Sequence, residues 1–394
     1  MHSPIPIVLA TDENYAPYVY ATMLSCLETK KESTFYEFYI MTPTQFRTAY
    51  VAEFMRLPQT YRNCSVHFVD MKNMFKEANI AIAHIATPTY YRLVMASKLN
   101  NCDKAIYLDS DVIVKADLTE YFEQDISDYC VGGVKAIGYI LNKSLFLYYK
   151  GLGLHSVEGY INAGVTLWNL KKIRELNLES TLLSMAAKGL KSMDQDAINI
   201  TFKDKIKILP LKYNMMTKYM VEFINLEKNP EYARVYGADN IKEAIEQPII
   251  IHYADKIKPW QDSKMPFAVD WWATSRQLPF LFQHEIILKN ISKMGNIAHV
   301  PDTSQQEKDL KLPQSPKPAP KQPAPATKPA PATKPAASSS APKKLQTKSS
   351  RFVKTSPHKK ELRVLGIPVW SKNTKTGRCI YRLFGIRVRH KKIK

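Results

Sequence analysis

The chain has 394 residues, 45% of them hydrophobic, and a formal net charge of +20. That is enough apolar material for one large domain or two smaller ones. The charge does not belong to the whole chain. Residues 301–394 hold 23 Lys and Arg against 4 Asp and Glu, while the first 300 residues hold 33 against 32, which excludes a nucleic-acid signature for the body.

In chain order, four apolar runs read as buried strands: Ile5–Ala10, Phe35–Met41, Ser65–Val69 and Ala105–Leu108, with Val112–Val114 just beyond. Segments of helical period lie between them, such as Tyr18–Thr29 and Gln45–Arg56. Strands alternating with helices predict an α/β domain with a largely parallel sheet. Ligands of such sheets bind outside the carboxyl ends of the strands. Two of those ends are acidic here, Thr11-Asp12-Glu13-Asn14 and Asp109-Ser110-Asp111.

Four segments carry candidate chemistry. In Asp109-Ser110-Asp111 two carboxylates flank a strand end, a donor type suited to Mg²⁺ or Mn²⁺; a solvated turn is the plainer reading of this motif alone. In Ile251-His252-Tyr253-Ala254-Asp255-Lys256-Ile257-Lys258-Pro259-Trp260 an apolar strand runs into a histidine. Its neutral imidazole can complete such a metal site, and the lysine six residues on can neutralise phosphate oxygens. Singly, His252 reads more readily as a core histidine, and Lys258 reads equally as a loop charge. Tyr160-Ile161-Asn162-Ala163-Gly164-Val165 and Met193-Asp194-Gln195-Asp196 supply polar groups for sugar hydroxyls. Asp194 and Asp196 also read as helix caps.

Taken together and in this order, these segments resemble glycosyltransferase family 8, whose members retain the anomeric configuration, and within it the bacterial lipooligosaccharide galactosyl- and glucosyltransferases. The resemblance begins at Ile7-Val8-Leu9-Ala10-Thr11-Asp12-Glu13-Asn14-Tyr15 and continues through His84-Ile85, Thr89-Tyr90-Tyr91-Arg92-Leu93 and Cys102 to Asp111. Asn162 to Val165, Asp194-Gln195-Asp196, His252-Tyr253, Lys258-Pro259-Trp260 and Trp271-Trp272-Ala273 to Pro279-Phe280 follow. It covers residues 4–285 and implies a single doubly wound, Rossmann-like α/β domain of the glycosyltransferase A type, here residues 1–300. It implies Mn²⁺ or Mg²⁺ on Asp109, Asp111 and His252, and UDP-galactose or UDP-glucose as donor. The implied donor contacts are Ala10, Asp12, Asn14, Arg92, Ser110, Asn162, Ala163, Asp194, Gln195 and Lys258, with Asp194 and Gln195 as catalytic candidates. The implied acceptor is an oligosaccharide or lipid-linked saccharide. Two positions depart from the pattern: Asp255 stands where the family has a glycine before the lysine, and Ala136 lies near where close galactosyltransferase relatives carry an acceptor-contacting aspartate.

Composition changes near residue 301. Residues 301–350 hold 11 prolines and the repeat PAPATK at 323–328 and 329–334, which predicts a stiff, extended, solvated linker. Residues 351–394 hold 14 Lys and Arg and one acidic residue among apolar ones, with Arg363 to Val369 echoed by Arg382 to Val388. Such a tail suits an anionic membrane surface, with Trp370, Tyr381 and Phe384 as anchors. Basic residues with aromatics also suit RNA or DNA, and a purely solvated tail is the plainest alternative; a lipid-linked acceptor favours the membrane. Five scattered cysteines fit a reducing compartment. No basic n-region precedes Ile5–Ala10, which is short for a signal core, and no apolar stretch reaches the roughly 18 residues of a membrane span. The expected location is the cytoplasmic face of the inner membrane. Two other functions compete: self-glucosylation on one of 22 tyrosines, and a non-catalytic nucleotide-sugar-binding body with a membrane- or nucleic-acid-binding tail, which predicts a broken metal triad, whereas Asp109, Asp111 and His252 are all present.

Overall fold

A computed structural model describes residues 3–43, 46–71 and 87–294, together with five strands between residues 351 and 392. His84-Ile85 and the linker 301–350 lie outside the described residues. The chain divides into two units, Met1–Ala298 and His299–Lys394.

The first unit is built on a seven-stranded sheet. Its strands are β1 (Ile5–Ala10), β2 (Tyr36–Thr42), β3 (Cys64–Asp70), β4 (Lys104–Leu108), β6 (Val131–Lys135), β7 (Ile161–Asn169) and β8 (Ile206–Ile208), in the order β3-β2-β1-β4-β7-β6-β8. β1, β2, β3 and β4 run parallel. The continuous apolar runs of β1 and β4 reflect burial on both faces. Ile7, Leu9, Ile106 and Leu108 join one core cluster, and the alternating Val8, Ala105 and Tyr107 join another, so each face of the sheet is covered and the fold is doubly wound as predicted. From β1 the chain winds outward to β3 and then returns to place β4 on the other side of β1. A crevice opens at that switch point, beyond the carboxyl ends of β1 and β4.

The sheet is largely parallel, as predicted, with one strand reversed. β7 is antiparallel to both β4 and β6. Leu108 pairs with Val165, so the start of β7 lies beside the end of β4. A strand whose first residues serve the crevice must run away from it, which sets β7 against the direction of β4. A smaller sheet joins β5 (Val112–Val114), β10 (Ile250–His252) and β9 (Met215–Met216) in the order β5-β10-β9. His252 pairs with Val112 on one side and Met216 on the other.

The helix Phe280–Met294 closes this unit. Phe282 is fully buried, with its ring 5.1 Å from Tyr20, 5.2 Å from Tyr50 and 5.7 Å from Phe54. Burying such a side chain contributes about 1.5–3 kcal/mol. Cys26, Cys64, Cys102 and Cys130 are buried free thiols. Among the described residues no helix is long and apolar enough to cross a membrane.

The second unit contains an antiparallel meander of β11 (Arg351–Ser356), β12 (Lys359–Val364), β13 (Ile367–Asn373), β14 (Arg378–Leu383) and β15 (Ile386–Lys392), each paired with the next.

Candidate active site

Asp109-Ser110-Asp111 is the link between the two sheets, since β4 belongs to one and β5 to the other. Backbone bonds fasten both ends: Asp109 N–H donates to Gly164 C=O at 2.7 Å, and Tyr253 N–H donates to Asp111 C=O at 3.0 Å. The pairing of β5 with β10 brings His252 alongside, with Nε2 3.3 Å from Asp111 Oδ1. Donor atoms of Asp109, Asp111 and His252 lie within 4.8 Å of one another. Two carboxylates and an imidazole suit a divalent cation. Gly164 makes room for them: a Cβ there would lie 2.5 Å from Asp109 Oδ2 and 2.5 Å from His252 Cε1. Only glycine lets β7 approach the cluster so closely.

Charges around the cluster are paired. Arg92, on the short 3₁₀ segment Thr87–Val94, is 4% exposed. Its Nη2 donates to Asp109 Oδ1 at 2.7 Å, its Nε lies 3.1 Å from Asp194 Oδ2, and its Nη1 donates to Ala163 C=O at 2.6 Å. The guanidinium also lies over Tyr107, 4.1 Å from the ring centre. Burial opposes the Arg92 charge, and Asp109, Tyr107 and Asp194 more than restore it. Two carboxylates share this one guanidinium, so Asp194 is incompletely compensated, and burial raises it to about 6 against the pull of Arg92. Burial also pushes Asp111 up, but His252 and Lys258 outweigh it and hold the carboxyl below its ordinary range.

Lys258 Nζ donates to Asp111 Oδ2 and, at 2.8 Å, to Tyr253 C=O. Its loop is pinned by aromatic packing: Trp260 stacks on Tyr18 at 4.0 Å, and Trp272 Nε1 donates to Pro259 C=O at 3.1 Å. Asp255 is exposed and takes no left-handed φ, so an aspartate fits this loop without backbone strain and the lysine still reaches Asp111. Beside this cluster a cleft of about 220 Å³ is lined by Ala10, Thr11, Asp12, Tyr15, Pro88, Thr89, Arg92, Tyr107, Asp109 and Ser110. A second cleft of about 240 Å³, lined in part by His155, Tyr160 and Lys203, contains none of the predicted site residues.

With this geometry in place, the family follows from comparison: the profile of glycosyl transferase family 8 matches residues 6–264. The chain belongs to glycosyl transferase family 8. It is 28% identical over 261 residues to the lipopolysaccharide 1,2-glucosyltransferase of Escherichia coli, covering 64% of this chain and 71% of that one. It is 25% identical over 181 residues to the lipopolysaccharide 1,3-galactosyltransferase of Salmonella typhimurium, covering 44% and 49%. The solved galactosyltransferase LgtC, in complex with donor and acceptor sugar analogs, matches with a TM-score of 0.60 and 26% identity over 71% of this chain and all of that one. The fold of this family 8 glycosyltransferase is thus of the glycosyltransferase A type.

Among the residues singled out in the sequence, Ala10, Asp12, Arg92, Asp109 and Ser110 line the cleft. Asn162, Ala163 and Gln195 adjoin one another, since Gln195 Oε1 accepts from Asn162 Nδ2 and Ala163 N–H, both at 3.1 Å. Asn14 is exposed and absent from the cleft lining; its C=O accepts from Lys289 at 2.7 Å. Asp12 C=O accepts the N–H of Tyr15 and Ala16 at the start of the helix Ala16–Thr29, so part of its work is local. Ala136 is buried after β6, its N–H bonded to Tyr160 C=O at 2.8 Å. Neither Asp194 nor Asp196 is a cap. The cap position is Ser192, without a side-chain bond, and both aspartates lie buried in the first turn of the helix Met193–Thr201. Asp194 is used by Arg92, and Asp196 accepts from Tyr160 Oη, from Tyr148 Oη at 3.1 Å and from Ser192 N–H at 2.9 Å.

One residue escapes sequence reasoning. Asn214 is fully buried just before β9. Its Oδ1 lies 2.9 Å from His252 Nδ1, and its Nδ2 donates to Asn162 Oδ1 at 2.9 Å. The amide thus accepts the Nδ1 proton of His252, which leaves Nε2 as the free donor atom on the Asp111 side. It also joins the histidine to the Asn162–Gln195 pair. Nothing local to Tyr213-Asn214-Met215 signals this; only the pairing of β9 with β10 does. Asn214→Ala is expected to weaken divalent-metal affinity about 10–100-fold, measured by metal titration of a variant whose circular dichroism matches wild type. Unchanged affinity would reduce Asn214 to a packing role.

Proposed function

We propose that this glycosyltransferase transfers galactose or glucose from the UDP-sugar to a hydroxyl of a lipooligosaccharide- or lipopolysaccharide-type saccharide, with retention of anomeric configuration and with Mn²⁺ as the metal. The observation that carries the proposal is the convergence of Asp109, Asp111 and His252 within 4.8 Å at the mouth of the crevice. The names of the two lipopolysaccharide glycosyltransferases it resembles support the acceptor class. Bound by these three residues, the cation would neutralise charge developing on the diphosphate leaving group.

Other parts of the reaction fall to the chain itself. Lys258, held beside Asp111, supplies a second positive charge for the diphosphate, so that UDP departs without first being protonated. Arg92 fixes Asp109 and Asp194 together, which sets the wall against which the donor sugar lies. Gln195 Oε1 already accepts two N–H groups, so its oxygen is a poor nucleophile; its role is to shape the sugar pocket with Asn162. Retention then proceeds by substitution on one face. The bond from the anomeric carbon to the phosphate oxygen breaks, the acceptor oxygen bonds from the same side, and its proton passes to the departing phosphate. Positive charge on the sugar is greatest in between. We further infer a peripheral location on the cytoplasmic face of the inner membrane, supported by the 14 Lys and Arg against one acidic residue in 351–394.

The test is release of UDP from a panel of UDP-sugars without acceptor, with Mn²⁺ or with EDTA. Mn²⁺-dependent release from UDP-galactose or UDP-glucose is expected. Release from a different UDP-sugar alone would overturn the galactose or glucose assignment; release from none, with UDP still bound, would mean an obligatory acceptor or a phosphate loop disabled at Asp255, and would favour a non-catalytic body.

A further inference from the structure

The meander of the second unit carries an order along its strands that composition does not reveal. Residues paired across an antiparallel ladder share a face. Following the register from β11 to β15, Phe352, Leu362, Trp370, Tyr381 and Arg389 form one transverse row. Two residues along, and so on the same face, Lys354, Lys360, Lys372, Cys379 and Lys391 form another. In the opposite direction the strands end in the pairs Val364–Ile367 and Leu383–Ile386. One face therefore runs from aliphatic through largely aromatic to lysine. The row between, on the other face, is mixed: Val353, Glu361, Ser371, Ile380 and His390.

The sequence echo has the same basis. The β12–β13 and β14–β15 pairs each carry a register shift at the equivalent place, after Leu362 and after Tyr381. The echo is thus two copies of one hairpin, side by side, presenting the same order of residues twice.

We propose that this face is a membrane-docking surface for an anionic lipid bilayer, tilted so that the end bearing Val364, Ile367, Leu383 and Ile386 lies deepest. The proposal rests on the peripheral-membrane reading above and adds the surface that does the work. A sheet with an apolar face needs a second layer, and the described strands of this unit all lie in one sheet. The order of residues matches the order of a bilayer: hydrocarbon, then the interfacial level favoured by Trp and Tyr, then anionic headgroups that attract lysine. The spacing matches too. Two residues of strand advance about 7 Å, so the aliphatic pairs lie beyond the aromatic row by a distance within the roughly 5–10 Å to which interfacial elements bury their apolar side. An acidic polysaccharide or nucleic acid would use the lysines and aromatics but leave the aliphatic end without a partner.

The test uses the full chain and vesicles with and without phosphatidylglycerol. Replacing Lys354, Lys360, Lys372 and Lys391 together by Gln is expected to weaken binding to anionic vesicles roughly a hundred- to a thousand-fold. The same change at Arg351, Lys359, Arg363 and Arg378, which occupy the opposite face, removes equal charge and is expected to cost at least ten-fold less, because screening falls off over about 10 Å. Arg at the four lysine positions is expected to restore binding. Brominated acyl chains are expected to quench a fluorescence component that Trp370→Phe removes. Equal weakening by the two Gln sets would overturn the face assignment while leaving membrane attachment standing. No binding of the wild-type chain to anionic vesicles would overturn both, and preference for an acidic polysaccharide or nucleic acid over vesicles would replace the lipid as partner.

Discussion

Asp111→Asn is expected to lower Mn²⁺-dependent UDP release by about a hundred- to a thousand-fold, the loss that follows when roughly 3–4 kcal/mol of charge stabilisation is removed. The substitution keeps the size of the side chain and removes its charge. Asp111 is the residue on which the cluster's other groups converge: His252 lies 3.3 Å from one carboxylate oxygen, and Lys258 holds the other. A neutral amide offers the cation a weaker donor and leaves Lys258 without its counter-charge. Backbone bonds to Gly164 and Tyr253 fasten the Asp109-Ser110-Asp111 link, so the fold is expected to be kept, while the melting temperature falls because His252 and Lys258 lose their carboxylate partner. A rate within ten-fold of wild type at saturating Mn²⁺ would remove Asp111 from the metal site.

Arg92→Met is expected to destabilise the protein by about 3–5 kcal/mol, the cost of breaking a buried ion pair from one side. Here one guanidinium, 4% exposed, serves both Asp109 and Asp194. Without it two close carboxylates face each other, and Asp194, already raised to about 6 with Arg92 present, loses its cation. Denaturant unfolding measures the loss. Adding Asp194→Asn is expected to recover part of it, since an amide of the same shape removes a buried charge. If the double variant is no more stable than Arg92→Met, the cost lies in lost packing over Tyr107 and in lost bonds, one from Nη1 to Ala163 C=O and one from Nε to Thr89 C=O at 3.1 Å, not in uncompensated charge.

How much of this was readable beforehand depends on the kind of information each feature needs. β1 and β4 are near-continuous apolar runs, and such runs announce strands covered on both faces; the acidic residues directly after them mark the crevice. Asp109 and Asp111 were legible as metal ligands only in company with His252 and the other segments in their order, since the motif alone reads more plainly as a solvated turn. The direction of β7 was not legible. Alternation of side chains is the same in parallel and antiparallel strands, and what sets the direction is that Asn162, Ala163 and Gly164 must begin at the site. Asn214 was hidden for a related reason: its partners His252 and Asn162 are 38 and 52 residues away, joined only by sheet pairing. Asp194 and Asp196 misled as caps because acidic residues early in a helix usually serve the helix end, whereas here they are buried and engaged by Arg92 and Tyr160. In the C-terminal strands both faces carry Lys and Arg, so the period of two is blurred in the sequence and emerges only from the register.

The most direct measurement is Mn²⁺ titration of the full chain by electron paramagnetic resonance in the presence of UDP, compared with Asp111→Asn. The account predicts saturable binding of one ion per chain in the wild type and a marked loss of affinity in the variant. Saturable binding of equal strength in both, or none in either, would contradict a metal centre at Asp109, Asp111 and His252.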